Sequence, residues 1–327
     1  MDETFTPDNS RLSEDLDVVK SWRRIGDICA DLNVRPVLFN AEVGEANAVS
    51  PADIHQGQLN DCFLLAALSA LAKKPTLLKS LFPTIGSTGR EQEYNEAGIY
   101  AVRFFRHGAW ATEIVDDYFP CNILGMPVTV NLELDDNGAG EFWPLVVEKA
   151  YAKMCGGYSI VDEGGSSCNC LADLTGGTPL RFAVAVDGSV TTHDKGHPWT
   201  GSVQHQHDEL FRFLRLRTDD GEAGDDLICC SIQPDKQEGS GSGSANWRQS
   251  TDLSSHHAYA VLAVAEVQRS HFLGGEEPML SFEEGATMNH SMLRLVRVRN
   301  PWVGRVPIPF LLPQHVSLKR SHVYYLP

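Results

Sequence analysis

The 327-residue sequence has no apolar run approaching the roughly 20 residues of a membrane-spanning helix, so no membrane span is expected. Its start, MDETFTPDNSRLSEDLDVVK, is acidic and lacks the apolar stretch of a secretory leader, which sets the expectation of a cytoplasmic protein. Basic residues are scarce. The 27 Lys and Arg stand against 43 Asp and Glu, for a formal net charge of -16. Without a basic stripe no nucleic-acid partner is expected, and attraction to anionic lipid is disfavoured. An acidic surface still suits basic substrate segments and divalent cations. No long internal repeat is present. The eight cysteines lack the CxxC spacing of structural zinc sites, so Cys168-Asn-Cys170 and Cys229-Cys230 read as reduced, buried or incidental thiols.

What is present fits a globular chain of one large or two moderate domains. The run from Cys62 to Ala72 is apolar all round and predicts a helix buried in a core. Asn60 and Asp61 before it are helix-capping types, and Lys73-Lys74-Pro75 is a stop. Residues 98–105 and 109–115 read as strands joined at His107-Gly108. Residues 141–156 read as a helix with Pro144 in its first turn and Gly156-Gly157 closing it.

Residues 1–34 read as a polar arm or loose helix, 36–53 as irregular structure, and the glycine-rich stretch 164–177 as loop. Beyond residue 180 the pattern turns to strands with long polar connections. His257 to Val264 and Met292 to Arg299 read as strands, with an insertion around 268–290 and a Gly-Ser loop at 239–244. In the second strand Val296 and Val298 alternate with Arg297 and Arg299. The expected organisation is an arm (1–34), a helical unit (35–180) and a strand-rich unit (181–327).

A cysteine at the first turn of a buried helix gains the positive end of the helix dipole, and a neighbouring imidazole completes an activated nucleophile. Cys62 holds that position. His257, opening a buried strand, suits the base, and Asn300 before Pro301-Trp302 suits the group that holds the ring tautomer. The Cys62 backbone N–H and the Gln56 amide are candidate donors to an oxyanion. From residue type and spacing alone, each also has an ordinary reading: a core thiol, a structural histidine and an Asn-Pro turn.

Several segments together carry a family resemblance. Gln56-Gly-Gln-Leu-Asn-Asp-Cys-Phe-Leu-Leu-Ala-Ala67 resembles QGxLGDCWLLAA, the nucleophile motif of the calpains. His257-Ala-Tyr-Ala-Val261 resembles GHAYSV, Arg297-Val-Arg-Asn-Pro-Trp302 resembles RIRNPW, and Glu141-Phe-Trp-Pro-Leu-Val-Val-Glu-Lys-Ala-Tyr-Ala-Lys153 resembles EFWSALLEKAYAK. Ala97-Gly-Ile-Tyr100, Val115-Asp-Asp117 and Asp173-Leu-Thr-Gly-Gly177 follow the family order, and the likeness runs from about residue 35 to 305.

The resemblance implies an α+β, papain-like cysteine peptidase fold, with a helical lobe, an antiparallel β lobe and the active cleft between them. It implies limited endoproteolysis of intracellular proteins through a thioester acyl-enzyme. The catalytic set would be Cys62, His257 and Asn300, with Gln56 at the oxyanion. It implies calcium regulation, with Asp53 and Glu141 as ligands in the first subdomain. The acidic residue expected after the Asn-Pro-Trp motif is missing from Val303-Gly-Arg-Val306, so the second calcium site looks lost. Gly165, His256 and Trp302 fall at substrate-contacting positions. The departures are Phe63 for tryptophan, Asn60 for glycine and His256 for the glycine before the catalytic histidine. They keep open a second reading, a catalytically inactive scaffold. A regulatory or cytoskeletal partner is left unspecified. No stretch reads as a helix-loop-helix calcium module, since Asp135-Asp-Asn-Gly138 is only a fragment of one.

Overall fold

The computed structural model describes residues 2–6, 18–40, 49–83, 94–135, 137–184, 189–192, 202–218, 226–231, 254, 256–268, 292–302 and 322–326. Helices and strands are mixed along the chain. The order begins β1 (Ser21–Arg24), α1 (Ile25–Asp31), β2 (Arg35–Val37), a 3-10 turn (Pro51–Asp53), α2 (Cys62–Leu71) and α3 (Pro75–Lys79). It continues with β3 (Ile99–Arg106), β4 (Ala109–Asp116), β5 (Tyr118–Cys121), β6 (Glu133–Leu134), β7 (Ala139–Glu141), α4 (Trp143–Cys155), α5 (Tyr158–Asp162) and α6 (Ser167–Thr175). The remainder is β8 (Phe182–Val184), β9 (Val190–Thr192), α7 (Val203–Thr218), β10 (Ile228–Ser231), β11 (Ala258–Gln268), β12 (Met292–Arg299) and β13 (His322–Leu326).

Two hydrophobic cores form among the described residues. The larger gathers side chains from Phe5 to Leu174 around α2 and α4, with Leu64, Leu65, Leu68, Phe142, Trp143 and Leu145 fully buried. Burying each such leucine contributes about 1.5–3 kcal/mol. The smaller joins Phe211 of α7 to Tyr259, Val261, Val264, Val296 and Val298. These last five lie on β11 and β12, the centre of an antiparallel sheet of order β10-β11-β12-β13. Their alternation along each strand points one face of the sheet at α7. Short sheets β1-β5, β2-β7-β6 and the hairpin β3-β4 frame the first core.

The helices at 62 and 143 and the strands at 99, 109, 258 and 292 fall where the sequence pattern predicts them. Pro144 lies in the first turn of α4, and Gly156 ends it in the left-handed conformation at φ 106°.

Three expectations are corrected. The described residues of the polar N-terminal segment, 2–6 and 18–34, are no loose arm: β1 pairs with β5, and Phe5, Ile25, Ile28 and Cys29 are buried in the larger core. The glycine-rich stretch is not all loop, because its middle is α6. The i, i+4 pair Cys170 and Leu174 is buried there, and the glycines only bracket it. The second half is not only strands. α7 is polar in composition, but Phe211 and Leu214 give it one apolar face against the smaller core. The Gly-Ser stretch 239–244 and nearly all of 268–290 lie outside the described residues.

Candidate active site

The loop before Cys62 is built on backbone contact. The Gln58 N–H donates to the Val128 carbonyl at 2.7 Å, and the Asn131 N–H donates to the His55 carbonyl at 2.8 Å. A Cβ on Gly57 would lie 1.5 Å from the Thr129 carbonyl oxygen, so only glycine allows the two chains to approach this closely. The loop ends at Asp61, and Cys62 opens α2. Every later residue of that helix, Phe63 to Leu71, is buried, so the core fixes the helix and leaves the thiol at its N-terminal tip.

The Cys62 sulfur is half-buried and faces three backbone N–H groups, those of Ala258, Phe63 and Cys62 itself. Burial outweighs these donors and holds the thiol above its ordinary pKa.

Ala258 follows His257, so its reach to the sulfur places the thiol beside the histidine. The His257 ring is buried. Its Nε2 lies 2.9 Å from Asn300 Oδ1, and the same oxygen accepts the Trp302 backbone N–H at 2.9 Å. An oxygen accepting from Trp302 presents a lone pair to the ring, so Nε2 carries the proton and Nδ1 is left unprotonated. The Trp302 ring lies over the imidazole at 4.6 Å between centroids, and Tyr259 meets it edge-on at 4.9 Å. Burial holds His257 below its ordinary pKa, opposed by the Asn300 bond. Both directions favour the uncharged forms of the two groups, against the ion pair that the dipole argument alone anticipates. The two groups are not hydrogen-bonded to each other in this structure.

Hydrogen bonds join the segments that carry them. The Gln56 N–H donates to the Pro301 carbonyl at 2.9 Å, and Lys73 Nζ at the end of α2 donates to the Leu262 carbonyl at 2.5 Å. Arg299 is buried, and its Nη2 donates to the carbonyls of Ile54 (2.7 Å) and Ala52 (3.3 Å). The strand alternation had grouped Arg299 with Arg297 on the outer face. Arg297 is exposed as expected, but Arg299 turns inward to these carbonyls at the strand's end.

The other predicted positions are placed as follows. Gln56 is buried, and its Nε2 donates to the Leu59 carbonyl at 2.7 Å, which commits one of its two amide protons. Gly165 backs onto the ring of Phe63, where a Cβ would sit 2.7 Å from ring carbons. His256 is exposed at φ 58°, so the chain keeps a glycine-type backbone with a histidine in it. Trp302 is 47% exposed, leaving one face of the ring over His257 open to solvent.

Asp53 closes a capping box, with its Oδ2 accepting the Ser50 N–H at 2.6 Å. Burial and then the Glu133 charge push its carboxyl up to about 6. Glu141 accepts the Asn40 N–H at 2.8 Å, and burial followed by the Asp53 charge pushes it up to about 9. The two carboxylates thus act on each other. No group of three or more His, Cys, Asp or Glu among the described residues is arranged to hold a metal. Residues 303–306, at the second expected calcium site, lie outside the described residues.

Sequence reasoning missed Arg299 as a bridging group. It also took Asp61 for a helix cap. Asp61 stands at the N-cap, but its side chain caps nothing: only its carbonyl accepts, from the Leu64 and Leu65 N–H groups at 2.8 and 3.1 Å. Its carboxyl is fully buried against Glu148 of α4.

The family profile described as calpain family cysteine protease matches residues 1–306. The chain belongs to the calpain family. It is 32% identical over 294 residues to Calpain-5 of Mus musculus, covering 87% of this chain and 37% of that protein. It is 30% identical over 320 residues to the calpain-type cysteine protease DEK1 of Arabidopsis thaliana (93% of this chain, 12% of that protein). Calpain-B of Drosophila melanogaster is 26% identical over 284 residues, 86% of this chain and 24% of that protein. The chain therefore spans well under half the length of these relatives. It is a calpain-family cysteine protease domain with mixed helix and strand, and no helix among the described residues is long and apolar enough to cross a membrane.

Proposed function

We propose that this calpain-family domain is an active cysteine endopeptidase that cuts cytoplasmic proteins at limited sites, working through Cys62, His257 and Asn300 in a papain-like two-lobed fold. The observation that carries the reading is the double acceptance at Asn300 Oδ1, which leaves His257 Nδ1 unprotonated on the ring that adjoins the thiol. In this reading Nδ1 takes the Cys62 proton, and the sulfur attacks the scissile carbonyl carbon. The oxyanion receives the Cys62 N–H and the second amide proton of Gln56. His257 then returns its proton to the leaving amine, and the thioester is hydrolysed by water that the same imidazole deprotonates.

The thiol and imidazole are not hydrogen-bonded at rest, and in this reading they close into a hydrogen bond before attack. Calcium is the proposed trigger. Asp53 and Glu141 fit it as donors, being hard carboxylate oxygens that repel each other in a buried setting and that a divalent cation would neutralise. The carbonyls on either side of Asp53 hold Arg299, the neighbour of Asn300, so an ion there would be felt at the triad. Gly165, His256 and Trp302 are proposed to line the substrate path. The exposed His256 side chain at that path is the observation favouring the scaffold alternative.

Hydrolysis of a fluorogenic peptide, with calcium and with chelator, tests the reading. Cys62→Ser and His257→Ala are each expected to lower kcat by about 10³-fold or more. Unchanged hydrolysis in Cys62→Ser, or no hydrolysis by the folded parent under any condition, would reject it.

A further inference from the structure

Directly behind the nucleophile lie two acids that the proposed chemistry does not use. Asp61 and Glu148 are both 0% exposed. Their carboxyl groups face each other. Glu148 has a backbone donor: the Val130 N–H lies 2.9 and 3.1 Å from its two oxygens. Neither carboxyl oxygen of Asp61 makes a hydrogen bond, and its own backbone N–H is all that favours the charged form. Two buried carboxylates set against each other cannot both ionise, and an anion with no hydrogen bond is far costlier to bury than one that accepts a backbone N–H.

No cation among the described residues settles the pair. Lys149, the neighbour of Glu148, sends its Nζ to Asp116 Oδ1 (2.5 Å) and the Tyr118 carbonyl (2.6 Å). The other titratable groups facing the site are the buried Tyr158 hydroxyl of α5, Asp116 of β4 and the Cys62 thiol of α2, none of which supplies positive charge.

We propose that Asp61 is protonated and donates its proton to a Glu148 carboxylate, and that this bond is a positioning device for the nucleophile. It pins the first residue of the α2 cap to α4 and keeps the pair's single negative charge on Glu148, one side chain removed from the thiol. Burial drives both acids upward, Asp61 the more, and the Cys62 thiol is among the charges Asp61 feels. The assignment of the pair as a positioning device rests on Cys62 being the nucleophile.

The two amide substitutions separate this from a passive packing role. In Asp61→Asn the amide N–H replaces the acid proton and the charge stays on Glu148. In Glu148→Gln the amide donates toward Asp61, which ionises beside Cys62 and disfavours the thiolate. The full 327-residue chain is used throughout, in chelator, so that Glu141 contributes equally to every sample.

Infrared difference spectra at neutral pH, parent minus Asp61→Asn and parent minus Glu148→Gln, are expected to show the carbonyl band of one protonated carboxylic acid. Iodoacetamide alkylation of Cys62, read by mass spectrometry of its peptide, is expected to keep its pH midpoint in Asp61→Asn. In Glu148→Gln it is expected to slow by about tenfold at neutral pH, one pKa unit. If Asp61→Asn does not fold, the Glu148→Gln spectrum and alkylation profile decide. An absent acid band overturns the shared proton, and an unmoved midpoint in folded Glu148→Gln overturns the positioning role. A chain that shows both signals but cuts no peptide retains the pair and loses the peptidase reading.

Discussion

Asn300 Oδ1 accepts two protons at once, from His257 Nε2 and from the Trp302 backbone, each at 2.9 Å. The second bond makes the first directional, because it fixes the oxygen as the atom facing the ring. Asn300→Ala frees the imidazole to rotate and exchange tautomers, and kcat is expected to fall by about 10–10²-fold with little change in KM. Burial keeps His257 neutral, so the acid limb of the parent's kcat/KM profile is expected below the ordinary histidine range. Asn300→Asp places a carboxylate beside Nε2–H, favours the imidazolium, and moves that limb to higher pH. Steady-state kinetics across pH 5–9 check both variants, the range chosen to bracket the roughly 6.5 of free histidine.

Arg299 is expected to matter out of proportion to its distance from the thiol. Arg299→Met leaves the carbonyls of Ala52 and Ile54 without their donor, at a cost of about 1–3 kcal/mol. Denaturant titration measures that loss. Since Arg299 adjoins Asn300, kcat is expected to fall more than KM rises, and Arg299→Lys to recover part of both. Equal, small effects on the two constants would reduce Arg299 to a packing role.

His256 occupies a left-handed backbone position at φ 58° that glycine adopts without strain. His256→Gly is expected to stabilise the chain by about 0.5–1 kcal/mol, the relief of strain being partly offset by glycine's greater unfolded-state freedom. If the imidazole also narrows the substrate path, kcat/KM rises. Thermal unfolding and peptide hydrolysis measure the two effects separately.

The Asp53 and Glu141 carboxylates are expected to take up calcium jointly. At a calcium concentration 100 times Kd, binding adds about 2.7 kcal/mol to stability. A thermal scan with and without calcium is expected to show that increment in the parent and to lose it in Asp53→Asn and in Glu141→Gln. A full increment in both variants would move calcium elsewhere.

The strongest local signals in the sequence were also the ones the structure kept. An all-apolar run became α2, and Pro144 with Gly156-Gly157 bounded α4. Alternation around His107-Gly108 became the β3-β4 hairpin. What escaped depended on long-range burial. In α1 only Ile25, Ile28 and Cys29 face the core, too few to outweigh the polar composition around them. The helix α6 rests on one buried pair, Cys170 and Leu174, between glycines that dominate its local pattern. Arg299 looked like an outward strand position, because alternation says nothing about carbonyls waiting at the strand's end. Asp61 looked like a cap because Glu148 lies 87 residues downstream, and no local rule pairs two acids. The segments around Gln56, Cys62, His257 and Asn300 were legible through their resemblance, since as single residues each had an ordinary structural reading.

The most direct measurement is labelling by a thiol-directed peptide epoxide, with calcium and with chelator, read by mass spectrometry across all eight cysteines. The account predicts calcium-stimulated labelling of Cys62 alone, abolished in Cys62→Ser and in His257→Ala and retained when the other cysteines are replaced. A folded chain whose Cys62 stays unlabelled with and without calcium would contradict it.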